Sequence, residues 1–437
     1  MRLGVALIAL AIAAATAYLG RRDLSRPAVV FGVTWFTFVA AAQLQLTPVE
    51  SAWSVGFAAT TVGGGLAFML GAFAASGTSP ARGELLLDRQ RYNAEGLLAI
   101  AVLLMLGGVA GWIYKNDLLG GIPLLSSHID VLRGTAFENG GVPAWASALT
   151  GGFYIAFWLL SVVAYLKWKS AGLAYRVALV VLAGGALFGV ALDASRNLVL
   201  LAVSVPLIGA YLVSPRVSRR GAGVRVGAAV LVLALIVGGA FVARLAQTSR
   251  ANAGNAFVKH ELRAHSPLLR PFIPIYINGV LPLDGSQALR SGIPDHAPWG
   301  RGTYSLLSLP GAAFPDGKPE FGGIVAGQLA SRGAGFWTVS SYQGRAFGDY
   351  GTSGVVVASL LMGLIFGSAY RFARRRGGLL AVVLIGYVAY YTAYLIYDNL
   401  LSFTLIAFYD LAVVFAAERL ALSQAPWEAL RKLAPAR

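Results

Sequence analysis

The chain contains no cysteine in 437 residues, and only 19 acidic side chains and four histidines. The lack of cysteine excludes a disulfide-stapled secreted fold and a cysteine-pair zinc site. Charge is scarce as well. Asp, Glu, Lys and Arg make up 12% of the chain, about half the ~25% of an ordinary soluble domain. So few charges exclude a water-soluble enzyme, and long stretches of Leu, Ala, Val and Gly exclude intrinsic disorder. Also missing are a Walker loop, a His-Glu-x-x-His helix and an Asp-x-Asp pair, so nucleotide and zinc chemistry find no support. There is no heptad run, low-complexity tract or regular repeat. Nor do short, Gly/Pro-broken helices recur in matching halves, which is the pattern of an inverted-repeat transporter.

What the chain has instead is hydrocarbon: it is 57% apolar, with a mean hydropathy of +0.68. Because ~20 apolar residues cross ~30 Å of lipid, uncharged runs read as membrane spans. Eleven are found, at 3–20, 27–49, 51–81, 96–114, 139–166, 177–192, 197–215, 226–243, 350–370, 377–397 and 399–417, the last interrupted by Asp410. The net charge of +16 would suggest nucleic acid in a soluble protein, but here it belongs to loop arginines that orient helices. Alternating sides from the first span puts Arg21, Arg22, Arg26, Arg82, Arg89, Arg91, Lys167, Lys169 and Arg176 on one face. Arg216, Arg219, Arg220, Arg225, Arg371, Arg374, Arg375, Arg376 and the basic C-terminal tail join them. The positive-inside rule makes that face cytoplasmic, with the N-terminus outside and the C-terminus inside. Merging the two spans that flank Asp193 would send the Arg374–Arg376 cluster outside, so the break there is retained. A signal peptide cleaved near residue 20 would strand Arg21, Arg22 and Arg26 outside, against the same pattern. The expected architecture is an all-α polytopic membrane protein, one membrane domain over 1–437.

Two outer segments exceed ordinary turns, 115–142 and 244–349, the latter between spans eight and nine. Loops of that length are usually functional. All four histidines, His128, His260, His265 and His296, fall on this outer side. The longer segment carries Arg244, Arg250, Lys259, Arg263, Arg270, Arg290, Arg301, Lys318, Arg332 and Arg345, against six acids. Singly these are a solvated surface; as a set facing the outer leaflet they suit an anionic substrate, since arginine grips phosphate with a planar, non-titrating fork. Arg196, in Asp193-Ala-Ser-Arg-Asn197, stands at a depth where a cation is costly. It either pairs with Asp193 or faces a cavity and receives phosphate. The stretch 340–354 leads into the ninth span, with Arg345 and Asp349 at the membrane surface. Asp349 there is either a favourable charge at a helix start or part of a site. Tyr390, Tyr391, Tyr394 and Tyr397 have the spacing of an interfacial belt, with sugar stacking second. Gly107 and Gly111 have the spacing of a helix-packing pair.

Three short pieces carry a family resemblance: Gly120-Gly-Ile-Pro-Leu-Leu-Ser-Ser-His-Ile-Asp-Val-Leu-Arg133, Ala194-Ser-Arg-Asn197 opening an apolar helix, and Gly348-Asp-Tyr-Gly-Thr-Ser-Gly354 ending a long outer loop. With these the chain resembles the O-antigen and oligosaccharide repeat-unit polymerases (the Wzy type), which are related to the O-antigen ligases. The resemblance implies a GT-C-like glycosyltransferase of the bacterial inner membrane, its site facing the periplasm. The substrate would be an undecaprenyl-diphosphate-linked oligosaccharide, whose growing chain passes to a hydroxyl of an incoming repeat unit without cofactor or metal. By similarity Arg133, Arg196 and Arg345 would hold the diphosphate, joined by Arg263 and Arg301 of the long loop. For the base, Asp349 ranks first by motif position, followed by His265 and Asp193, with His296 and Glu261 behind. His296, Tyr304 and Tyr342 are the expected contacts to the acceptor sugar. A chain-length regulator and a flippase are implied partners. The ligase branch carries a histidine about ten residues before its Gly-x-x-Gly; here Ser340, Ser341 and Gln343 fill that stretch, against a ligase. A lipid-linked oligosaccharide flippase is the rival from another class, since it too wants a basic cavity, and a non-catalytic membrane scaffold is a third reading.

Overall fold

Local capping chemistry sets where the helices begin. In the computed structural model of the chain, the described residues are 1–46, 50–77, 92–122, 142–192, 196–213, 273–293, 299–302, 304, 321–330, 340–397 and 404–422. They form twelve α-helices and no strand. α1 (Arg2–Leu19) runs into a short turn, and α2 (Pro27–Ala42) opens on a proline whose fixed φ suits the first helical position. Ser54 caps α3 (Val55–Ser76) by accepting the Phe57 amide at 3.1 Å, and Asn93 caps α4 (Ala94–Leu119) through the Gly96 amide at 3.2 Å. α5 (Ala144–Lys167) is followed by α6 (Leu173–Leu192) and α7 (Arg196–Val213). Within the long segment lie α8 (Ile273–Gly292) and α9 (Phe321–Ala330). α10 (Tyr342–Arg376), α11 (Gly378–Tyr394) and α12 (Thr404–Leu422) complete the chain.

Six of these, α1, α3, α4, α5, α6 and α10, are long and apolar enough to cross a membrane. α2, α7 and α11 are apolar but shorter, and α12 carries Asp410, Glu418 and Arg419. The expected span at 226–243 lies outside the described residues. Leu3, Leu70, Leu103, Val181 and Phe188 are each 60% exposed or more. Water would penalise each such side chain by ~25 cal/mol per Å², whereas hydrocarbon does not. The protein is membrane-embedded.

The chain divides into two compact units. The first comprises 1–82, 234–375 and 388–405. Its centre is aromatic: Phe31 of α2 stacks on Phe68 of α3 at 4.0 Å, and Trp35 meets Tyr342 of α10 edge-on at 5.4 Å. At one end of this unit the Asp23 carboxylate accepts the Tyr370 hydroxyl, and the Arg374 guanidinium lies 6.0 Å over the Tyr370 ring. At the other end the long-loop helices dock. Tyr276 of α8 donates to Glu50 at 2.6 Å, and Gln287 donates to the Ala52 carbonyl at 2.9 Å. Leu281 and Leu289 of α8, Val325 and Leu329 of α9, and Tyr304 form a buried cluster of their own. This part of the long segment is therefore folded on α2 and α3 and on a small core.

The second unit comprises 83–233, 376–387 and 406–437. Tyr154 of α5 donates to both oxygens of Asp410 at 2.9 Å, and Tyr387 of α11 donates to the same carboxylate. Asp410 is fully buried, so these hydroxyls are what make a carboxylate tolerable inside a bundle. α4 and α5 pack backbone to backbone, as the glycine spacing suggests, though not at both glycines. A Cβ on Gly111 would come within 2.7 Å of Leu149 Cβ and 2.9 Å of the Ala146 carbonyl, whereas one on Gly107 would meet only the Leu149 side chain, at 3.6 Å. Gly111→Ala is accordingly expected to cost about 1–3 kcal/mol of overpacking, while Gly107→Ala is neutral or slightly stabilising through helix propensity. Thermal unfolding of both variants in one detergent checks this; equal shifts would refute the assignment of the contact to Gly111.

Candidate functional site

The site is built around a break in α10. Its first turns, from Tyr342 to Asp349, are helical; Tyr350 (φ −144°, ψ 17°) and Gly351 (φ 67°, ψ −153°) are not, and the helix resumes beyond them. Position 351 takes a conformation closed to side chains with a Cβ, which accounts for the glycine there. Helix thus begins at Tyr342, eight residues before the expected span, and Asp349 ends a short helical segment instead of starting a long one.

Asp349 is 2% exposed, and its Oδ1 accepts the Tyr304 amide at 2.9 Å. Alongside, the Gly300 amide donates to the Gly348 carbonyl at 2.9 Å and the Arg301 amide to the Asp349 carbonyl at 3.3 Å. Arg345, one turn before Asp349, donates from Nη1 to the Tyr304 carbonyl at 3.3 Å. The segment from Gly300 to Tyr304 is therefore tied along the broken helix at four points. In this tie Arg301 is held at φ 49°, an uncommon conformation for a residue with a side chain. Its side chain is exposed, and that of Arg345 is half-buried. Burial and the neighbouring Asp349 charge raise the Tyr304 phenol above its ordinary pKa.

Of the expected site residues, the structure brings together Asp349, Arg345, Arg301 and Tyr304. Tyr304 and Tyr342 were expected to touch sugar, yet both are core residues. Tyr304 is fully buried in the long-loop cluster, and Tyr342 is wedged against Phe31 and Trp35 with its hydroxyl 2.9 Å from Ser359. Aromatic rings with this much apolar area are drawn inward unless something holds them out. Asp193, Arg133, Arg263, His265 and His296 lie outside the described residues, and Arg196 is described only as the first residue of α7. The tyrosines near the end of α11 stack on one another, Tyr390 on Tyr394 at 5.7 Å. Among the described residues no three His, Asp or Glu side chains gather as a metal site.

Beside the tie is a small cleft, with room for about one water-sized group, between Thr60 and Thr61 of α3, Ser286 of α8 and the Ser341–Phe347 stretch. Arg290 of α8 donates to the Thr60 hydroxyl at 3.0 Å and lies 5.3 Å over the Phe347 ring. In the sequence Arg290 is only one of the ten cations of the long loop. Ser286 and Arg290 are four residues apart and so share a helix face, a signal that exists only once α8 is known to be a helix. The chain has no match among protein-family models, characterised proteins or solved structures.

Proposed function

We propose that this protein is a membrane glycosyltransferase that polymerises undecaprenyl-diphosphate-linked oligosaccharide repeat units. The observation that carries the reading is the four-point tie, which holds the Arg345 guanidinium on the Tyr304 carbonyl and the Arg301 backbone against the broken start of a membrane helix. A guanidinium held in this way suits the developing charge of a departing diphosphate, because it needs little reorganisation during the reaction. In this reading eleven spans form a GT-C-like body in the bacterial inner membrane, with the tie facing the periplasm. An acceptor hydroxyl attacks the anomeric carbon, the bond from that carbon to the diphosphate oxygen breaks, and undecaprenyl diphosphate leaves. Arg196, Arg133 and Arg263 join Arg301 and Arg345 in neutralising it.

Asp349 is a positioning residue in this account. One carboxylate oxygen is spent on the Tyr304 amide and the side chain is buried, so the proton of the attacking hydroxyl falls to His265, His296, Glu261 or Asp193. Ser340 and Ser341 are fully buried, and Gln343 is bonded through its amide. None of them titrates near neutrality, which favours the polymerase over the ligase. The test is reconstitution in liposomes with a defined lipid-linked repeat unit. A ladder of polymer that persists in excess EDTA is expected, with turnover about 10- to 100-fold lower in Arg345→Lys, which keeps charge but loses the fork. No ladder from any defined repeat unit would overturn the proposal, and dependence on added Mg²⁺ or Mn²⁺ would overturn its metal-free chemistry.

A further inference from the structure

The cleft beside the tie has a one-sided hydrogen-bonding character. Thr60 donates its hydroxyl proton to the Gly56 carbonyl at 2.7 Å and accepts from Arg290. Ser286 Oγ lies 2.8 Å from both the Pro282 carbonyl and Ser341 Oγ, and the Ser341 amide donates to Ser286 Oγ at 3.2 Å. Gln343 Nε2 faces the Thr61 carbonyl at 3.4 Å and the Tyr342 hydroxyl at 3.2 Å. A flipped amide would set two carbonyl oxygens against each other, so the orientation is fixed. Gln343 Oε1 is left buried and without a hydrogen-bond partner in a side chain that is 4% exposed. A buried acceptor left unsatisfied is costly, and such a group in a native fold calls for an occupant.

Glycines keep side chains out of the space around the Gln343 amide and Ser286. Gly64 of α3 stands where a Cβ would come within 2.6 Å of the Gln343 amide nitrogen, and a Cβ on Gly344 would come within 2.6 Å of Ser286 Oγ. The floor holds one water-sized group. A phosphate oxygen would meet the Gln343 Oε1 lone pairs with its own, whereas an O–H that donates to that acceptor would be satisfied. Phe57, Phe347 and Val355 supply apolar wall around the polar floor, the mixture that a sugar ring presents in reverse.

We propose that this cleft is a carbohydrate subsite distinct from the diphosphate site: it seats one donating hydroxyl of a sugar ring on Gln343 and Ser341, with Arg290 at the rim. The inference rests on the glycosyltransferase reading for its substrate class, and its test does not depend on turnover. Saturation-transfer NMR of the full chain in nanodiscs would use five free methyl glycosides, those of glucose, galactose, mannose, rhamnose and N-acetylglucosamine. At least one should receive saturation from the wild type, bind about tenfold more weakly to Gln343→Met, and resist displacement by inorganic diphosphate. Ser341→Ala, which keeps the surrounding backbone bonds, should weaken the same glycoside and serves if Gln343→Met does not fold. Silence from all five, which would leave the cleft to a water, overturns the subsite, as does unchanged binding in both variants or displacement by diphosphate. Glycoside binding lost in both variants without any polymer ladder keeps the subsite and sinks the polymerase. A ladder with no such binding does the reverse.

Discussion

Asp349→Ala is expected to abolish turnover by more than about 100-fold and to lower the melting temperature in detergent. The substitution strips the acceptor from the buried Tyr304 amide, a charge-assisted bond of the kind that contributes about 1.5–3 kcal/mol. It also frees the segment that carries Arg301, whose φ of 49° persists only while its neighbours hold it. A displacement of ~1 Å in a charge-stabilising group is enough for a 100-fold loss. Asp349→Asn separates positioning from proton transfer, because its Oδ1 still accepts the Tyr304 amide while its basicity is gone. Near-normal stability with turnover within about tenfold of wild type is the expected result. A stable Asp349→Asn protein that has lost more than ~100-fold would show instead that the carboxylate takes the proton, the usual scale of general-base loss being 10²–10⁴.

Glu418→Ala should produce the largest stability loss in the second unit. Glu418 is 3% exposed and accepts three donors: Arg376 Nη1 at 2.8 Å, the Tyr92 hydroxyl at 3.1 Å and the Leu379 amide at 3.1 Å. These come from the segment before α4, the end of α10 and the start of α11, which a single carboxylate clasps to α12. Burial and the Glu418 charge raise the Tyr92 hydroxyl to about 12, so it stays a donor at every physiological pH. Removing the carboxylate leaves Arg376 without its ion-pair partner, and breaking buried pairs typically costs about 3–5 kcal/mol. Glu418→Gln retains an acceptor for the Leu379 amide and should cost less than half as much. Thermal unfolding of the purified variants is the measurement; a Glu418→Ala protein as stable as wild type would mean that the clasp contributes nothing.

The membrane character was legible because composition and charge spacing are one-dimensional: no arrangement of helices turns 57% apolar residues and 12% charge into a water-facing surface. The glycine pair on α4 could be read from its spacing. The structure refines it, since only the packing register against α5 decides that Gly111, and not Gly107, meets backbone. Asp349 and Arg345 were legible as a pair four residues apart at a glycine-rich junction. Their tie to Gly300–Tyr304 was not, because it spans 45 positions between Asp349 and Tyr304 and no local pattern encodes such a distance. Tyr304 and Tyr342 are the opposite case, since both are buried. A tyrosine near a candidate site looks the same in sequence whether it faces a ligand or a core, and burial decides.

By itself, then, the sequence determined the solvent of this protein and the class of its elements. Hydropathy acts residue by residue, and ~20 apolar residues suffice to select helix and lipid together. Only the tertiary structure decided which polar groups meet and which of their atoms remain unspent. The long-range bonds of Asp349, and the open acceptor on Gln343, follow from helix register and from where a glycine lets one backbone approach another. Those bonds, and the open acceptor on Gln343 among others, are properties of packing, in which residues far apart in the chain compete for the same few ångströms.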